Sequence, residues 1–359
     1  MTKRFLPCLA AAALATIIVP NAPANTPAPP TLPTGVKGKD GVKAYLVAVV
    51  KQVNAAAADF KTAADEYAKL VAGYQNQPAL AASAKPLETA GLVRRMRDAY
   101  QRIDSFGYEY VEGIVAGVPG LAKYDVELDS GLPKALAASP TDVVADVVIK
   151  AGPDTLDHDG SLNNFLIEPT VFGTNPKFTS GTAGGLPGFD GTVNLPKPNL
   201  CVALADYAVD GYARLLKDSE AWQPSDKDCY QAVFNMTPTL ADYFDEWKES
   251  RKGTGELAGR FVAVSRVSDM RGIMSSVKLT WDGLEPELKG KDAALADSIS
   301  RGYAQIMTFI DTVDARDAKQ KLTLEAIDAL GSQAKEKADK LTVQAQQAAA
   351  LVGVNVEQK

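Results

Sequence analysis

Apolar residues recur at steps of three and four over most of the chain, and the pattern begins abruptly near residue 42. Val42, Tyr45, Leu46, Val49, Val53, Phe60, Ala63, Tyr67 and Leu70 form one stripe, which predicts an amphipathic helix about 45 Å long at about 1.5 Å per residue. Asn76, Gln77 and Pro78 mark a turn, and a second stripe through Leu92, Met96, Tyr100 and Ile103 continues into Phe106. So short a connection predicts antiparallel packing. The rhythm returns after residue 200, with stripes through Val202 to Leu216, Leu240 to Trp247, Phe261 to Trp281 and Leu295 to Ile310, then a weaker one from about Arg316 to Leu351. No alternating strand pattern of useful length competes, so the predicted class is all-α. About eight helices fit two packed up-and-down four-helix bundles.

Between about Gly117 and Pro198 the pattern breaks, and Gly and Pro accumulate. One helix is predicted there, Pro140 to Lys150, with Ser139 or Thr141 near its start. The run from Thr174 to Pro198, containing GTAGGLPGFDG, is read as a solvated excursion in preference to a lid. The expected organisation is a helical domain over residues 40–355, with bundle halves at about 40–135 and 200–355 joined by loop-rich 136–199.

The N-terminus reads as a secretory leader. Lys3 and Arg4 precede an apolar run from Phe5 to Val19, and Ala22-Pro23-Ala24 supplies small residues at a cleavage point. Residues 1–24 are therefore a predicted signal peptide, and 25–39, rich in Pro, Thr and Gly, a flexible tether. The expected location is periplasmic or secreted, with no stable membrane insertion after cleavage. Export changes the meaning of the cysteines: with Cys8 in the leader, Cys201 and Cys229 remain as a pair and predict a disulfide worth roughly 3 kcal/mol. The 359 residues are 46% hydrophobic and 23% charged, enough to build a real core. A net charge of -6 excludes a nucleic-acid partner on electrostatic grounds.

Asn163 to Gly173, reading NNFLIEPTVFG, sets the carboxylate of Glu168 among apolar residues. This segment resembles the core motif of the imelysin-like family, which includes periplasmic iron-uptake proteins of the EfeO type. Ile167, Glu168, Phe172 and Gly173 match the motif, but Phe165 stands at the family's His and Asn163 at its Gly. A second patch, from Ala263 to Trp281 with Ser265, Ser268, Asp269 and Gly283, is similar to a later family segment, again with a His replaced, here by Arg266. A third, Tyr100, Arg102, Ile103 and Asp104, is similar to the family's Tyr-x-Arg-Ile-Glu. The resemblance implies an interhelical cleft where carboxylates hold a metal ion, iron or another divalent or trivalent cation. The matching acids are Glu168, Asp104 and Asp269, with Asp125 and Asp129 in the second rank.

Each has an ordinary reading as well. Glu168 can face solvent at a capped helix end, and Asp104 can close a helix ending near Gly107. Asp269 can cap a helix or pair with Arg271 or Arg266, and Asp129 can form a turn with Ser130 and Gly131. His158, the one histidine, lies in LDHDGS and reads as an exposed loop residue between Asp157 and Asp159.

No His-Glu-x-x-His helix is present, and one histidine cannot supply the ligands of zinc hydrolysis, so no enzymatic activity is expected. The expected function is an exported metal-binding component of an uptake system, partnered by a metal ion and an inner-membrane transport component. The alternative is a module that binds an envelope polysaccharide, peptide or protein in a cleft lined by Phe165, Phe172, Trp281 and tyrosines, with a degenerate metal site and its acids facing solvent.

Overall fold

The structure, a computed structural model, describes residues 38–140, 142–253 and 259–357. The predicted leader lies outside the described residues, as does the tether up to residue 37. Gly38 and Lys39 already belong to the first helix.

The described chain is helical in the main. Its α-helices are α1 (Gly38–Ala72), α2 (Pro78–Ala84), α3 (Pro86–Ile103), α4 (Glu109–Val115), α5 (Ala122–Asp125), α6 (Glu168–Val171), α7 (Pro198–Ala221), α8 (Asp226–Met236), α9 (Leu240–Arg251), α10 (Arg266–Lys289), α11 (Ala293–Lys319) and α12 (Leu324–Leu351). Local chemistry sets where they start. Ser225 and Asp228 form a reciprocal capping box at α8, and Ser265, Asp292 and Thr323 cap α10, α11 and α12 with their side-chain oxygens. Such caps satisfy amide donors that a helix start leaves orphaned. Prolines open α2, α3 and α7, where a missing N–H costs nothing.

Burial of the stripes produces two apolar cores. In the first, α1 lies against α3 and α7, and this core takes in α7, beyond residue 200. In the second, α8 to α12 pack around Phe244, Trp247, Trp281, Tyr303 and the alanine face of α12. α10 joins the two, because it contacts α1 and α4 as well as α8, α9 and α11.

The segment between the cores departs from expectation twice. The predicted Pro140–Lys150 helix does not form, and Val148–Ala151 is instead strand β1, paired antiparallel with β2 (Asp154–Asp157) in the register Val148 to Asp157. Ala145, Val147, Ile149 and Ala151 point inward while Asp146, Val148 and Lys150 face out. That is a period of two carried by β-branched residues, which suits a half-buried strand better than a helix. The Thr174–Pro198 run is likewise ordered. Thr179–Gly184 (β3) and Thr192–Pro196 (β4) form a hairpin held down by buried Phe178, Leu186, Val193 and Leu195.

The predicted disulfide is absent. Cys201 and Cys229 are both free and buried, one in each core. Cys201 sits in the first turn of α7, and that helix carries the chain roughly 30 Å away before α8 begins, too far for a bridge. No helix among the described residues is long and apolar enough to cross a membrane.

Candidate metal centre

Where α4 meets α10, the backbone does something that apolar stripes do not encode. α3 runs on past Ile103 through a π-helical turn, Asp104–Tyr108, directly into α4. A π turn closes its hydrogen bond over five residues instead of four, and here the Glu109 N–H donates to the Asp104 carbonyl. Residues five apart are thereby stacked. Asp104 and Glu109 share one face, and Glu112, three further along α4, joins it. The device recurs after α5, where Val126–Ser130 is a second π turn and the Ser130 hydroxyl donates back to Asp125 at 2.6 Å. It recurs again ahead of α6: Leu162–Ile167 is the third, and the Glu168 N–H donates to the Asn163 carbonyl. π-helical insertions of this kind concentrate at functional sites.

Glycine allows the helices to close on this region. A Cβ on Gly113 would stand 2.5 Å from Ser276 Oγ, and one on Gly272 would stand 3.1 Å from Glu109 Cβ. The approach sets Glu109 and Glu112 against the start of α10, which carries Arg266 and Asp269.

Seven carboxylates are buried here: Asp104, Glu109, Glu112, Asp125, Asp129, Glu168 and Asp269. Hydroxyl and amide donors orient most of them. Tyr100 donates to Asp104 at 3.0 Å, Tyr108 to Asp125 at 2.9 Å and Tyr243 to Glu112 at 2.7 Å. Asn163 donates to Asp104 at 3.0 Å and is itself held by Tyr212, while Asn164 donates to Asp129 at 2.9 Å.

Cations are scarce. Arg266, between the rings of Tyr243 and Phe261, places Nη1 3.4 Å from Glu109 and 3.6 Å from Asp269, and its Nη2 bonds Glu246 at 2.7 Å. Arg260 lies over the Phe165 ring and donates to the Asn164 carbonyl. Two guanidiniums cannot neutralise seven carboxylates.

The imbalance moves the acids' proton affinities. Burial, then the charges of Asp269 and Glu168, push Asp104 up to about 8. Burial with Asp129 and Asp125 pushes Glu112 up to about 8, and burial raises Asp269 to about 7 against the pull of Arg266. Glu109 and Asp129 are driven well above the ordinary carboxylate range, again by burial first. Three oxygens, Glu109 Oε2, Glu112 Oε2 and Asp269 Oδ1, are buried with no hydrogen-bond partner. Such atoms are costly unless a proton or a cation meets them.

Two compact oxygen triads result. Asp104, Glu109 and Asp129 each offer an oxygen within 4.8 Å of the others, and so do Glu112, Asp125 and Asp129. Oxygens around one hard cation sit at about 2.0–2.6 Å from it, hence no more than about twice that apart, so each triad fits a single ion. The donor set is all carboxylate, which suits hard cations such as Fe3+, Mn2+, Mg2+ or Ca2+.

The acids singled out in the sequence are distributed unevenly over this arrangement. Asp104, Asp125 and Asp129 stand in the triads. Glu168 is buried but accepts three backbone N–H bonds, from Phe261, Val262 and Ala263 at 2.9–3.0 Å, so it latches the approach to α10 and lies outside both triads. Asp269 is also outside them, beside Arg266; Arg271 instead pairs with Asp311 and Asp314. His158 is in neither triad and is bonded instead to Asp157 at 2.6 Å and Asp146 at 3.0 Å.

Glu109 and Glu112 were not legible as ligands from the motifs. A usable signal exists in FGYEYVEGIVAGV: two glutamates three apart in a helix apolar all round, which must be buried on every face. A cavity of about 170 Å³ lined by Asn164, Glu168, Thr174, Asn175 and Arg260 adjoins the cluster through Asn164.

The chain matches no family model, and no curated protein shows significant similarity to it.

Proposed function

We propose that this protein binds a hard metal ion as cargo, in the carboxylate seam between α4 and α10, and serves as the exported metal-binding component of an uptake system. The observation that carries the reading is the set of bare, buried carboxylate oxygens on Glu109, Glu112 and Asp269, in a region where donors orient the acids but too few charges neutralise them. A protein that needed only stability at this position would gain by replacing such groups with apolar ones. Iron as the cargo, and an inner-membrane transport component as the recipient, are what the imelysin-like resemblance implies. The tyrosine and asparagine donors give the ligating acids a fixed outer layer, which metal sites require for affinity.

The alternative reading, a cleft for an envelope polysaccharide or peptide, called for acids facing solvent beside an aromatic wall. The acids are buried, and Trp281 is a core residue whose indole donates to Ser300 at 2.8 Å.

The test is titration of the chelator-stripped protein with Fe3+, Fe2+, Mn2+, Ca2+, Zn2+ and Cu2+ by calorimetry. Micromolar or tighter binding of at least one hard cation is expected, with protons released on binding because ligating carboxylates must be ionised. Failure of every ion to bind more tightly than millimolar rules the reading out.

A further inference from the structure

We propose that the seam holds two cations side by side, with the Asp129 carboxylate shared between them; this rests on the metal-binding reading above. The triads Asp104–Glu109–Asp129 and Glu112–Asp125–Asp129 have one member in common. Each includes a glutamate with one bare oxygen, Glu109 with Oε2 in the first and Glu112 with Oε2 in the second, on residues that are 0% and 3% exposed. One ion held by the first triad leaves Glu112 and Asp125 without it, and one held by the second leaves Asp104 and Glu109 without it.

Backbone geometry separates the two positions. Glu109 and Glu112 leave α4 one turn apart, which puts their Cβ atoms about 5–6 Å from each other, while the π turn that begins at Asp104 and the one that follows Asp125 bring each of these acids within 4.8 Å of Asp129, in separate triads. Ions in two-metal sites stand about 3.5–4 Å apart with a bridging ligand between them. Asp129 has the support that a bridge needs: Asn164 donates to its Oδ1 at 2.9 Å, and Ser161 and Asn164 both donate to its backbone carbonyl.

Charge points the same way. With Arg266 shared among Glu246, Asp269 and Glu109, two dications come within one charge of the five carboxylates of the triads, whereas one dication falls three short. The ligand class is therefore a pair of hard divalent cations.

Mn2+ is the probe that counts and reports at once. The full-length mature protein, stripped by chelator and dialysed against excess Mn2+, is assayed for metal per chain by mass spectrometry and for spin coupling by low-temperature EPR. Two Mn2+ per chain and an exchange-broadened spectrum are expected. Glu109→Gln and Glu112→Gln should each retain one ion and restore an isolated six-line signal, and Asp129→Asn should weaken both ions by at least tenfold. Saturation of the wild-type protein at one Mn2+ with an isolated signal overturns the pair while leaving metal binding standing. Binding of no Mn2+ overturns the pair as well, and if no other hard cation binds in the titration above, the metal-binding reading falls with it. The wild-type stoichiometry decides the matter even if a variant fails to fold.

Discussion

Asp317, near the end of α11, and Glu112, in α4, are both only 3% exposed, yet the protein treats them in opposite ways. Asp317 receives Arg251 at 2.7 Å, Lys321 at 2.8 Å and the Leu322 N–H at 2.9 Å. Burial pushes its proton affinity up, but these partners outweigh it and hold the carboxyl below its ordinary range. Glu112 has one tyrosine hydroxyl and a bare second oxygen, and it is pushed up to about 8. The chain can therefore satisfy a buried acid completely, and between α4 and α10 it does not. Asp317 itself stands in a regular helix, whereas three π turns shape the seam. The proposed cations would supply the charge that this bent backbone gathers acids for and leaves uncompensated.

The widest difference should appear in how stability responds to pH. Asp104, Glu112 and Asp269 have folded values of about 8, 8 and 7, far above the unfolded values near 4. The folded state therefore holds more protons than the unfolded state between about pH 4 and 8, and stability falls as pH rises through that window. Each fully shifted group contributes about 1.4 kcal/mol per pH unit, so the metal-free protein should lose several kcal/mol between pH 5 and 8. Asp317 has the reverse sign: its contribution is present above the unfolded value and is lost as pH falls through the folded one. Urea denaturation at pH 5, 6.5 and 8 measures the sum, and saturating Mn2+ should flatten it by replacing the protons. Metal-free stability that is constant or rises with pH contradicts the description of the seam.

Next in size is a pair of substitutions at the two acids. Asp317→Asn removes the charge that Arg251 and Lys321 bond to, and it should destabilise the protein by about 2 kcal/mol. Glu112→Gln removes a charge that has no cation, and in metal-free protein at pH 8 it should stabilise by about 2 kcal/mol. Denaturation of both variants beside the wild type checks the signs. If the two changes destabilise alike, Glu112 belongs to the structure in the same way as Asp317, and the contrast between the regions disappears.

Much of the helical frame was legible, because packing against a core demands the three-and-four spacing that α1, α3, α7 and the second core display. The seam was not. A π turn stacks residues five apart, so Asp104 with Glu109, Asp125 with Ser130, and Asn163 with Glu168 fall outside any search at helical period. Asp104 and Asp125 were reached through resemblance to a family motif, whereas Glu109 and Glu112, which carry bare oxygens, belong to no motif. The β1 strand was misread for a related reason: Val143 to Lys150 is short and rich in apolar residues, and its alternation is visible only once Ala145, Val147 and Ile149 are known to face inward. The Cys201–Cys229 pairing assumed proximity that a 24-residue helix removes.

The smallest expected effect belongs to His158, and it sharpens the comparison by being small. Imidazole is the usual partner of carboxylates in metal sites, so a protein with one histidine invites its placement at the centre. The structure puts it in a loop after β2, with φ of 54°, contacting Asp157 and Asp146, whose side chains are 68% and 91% exposed. Contacts between such exposed partners are worth about 0–1 kcal/mol. A left-handed backbone favours glycine, so His158→Gly loses the contacts but relieves strain, whereas His158→Ala loses the contacts alone. His158→Ala should cost about 0.5 kcal/mol and His158→Gly less, and calorimetric Mn2+ affinity should stay within about twofold of wild type for both, since neither alters a ligand. A tenfold loss of affinity in either variant would place an imidazole in the site after all, and the all-carboxylate seam would no longer be the feature that separates this region from Asp317.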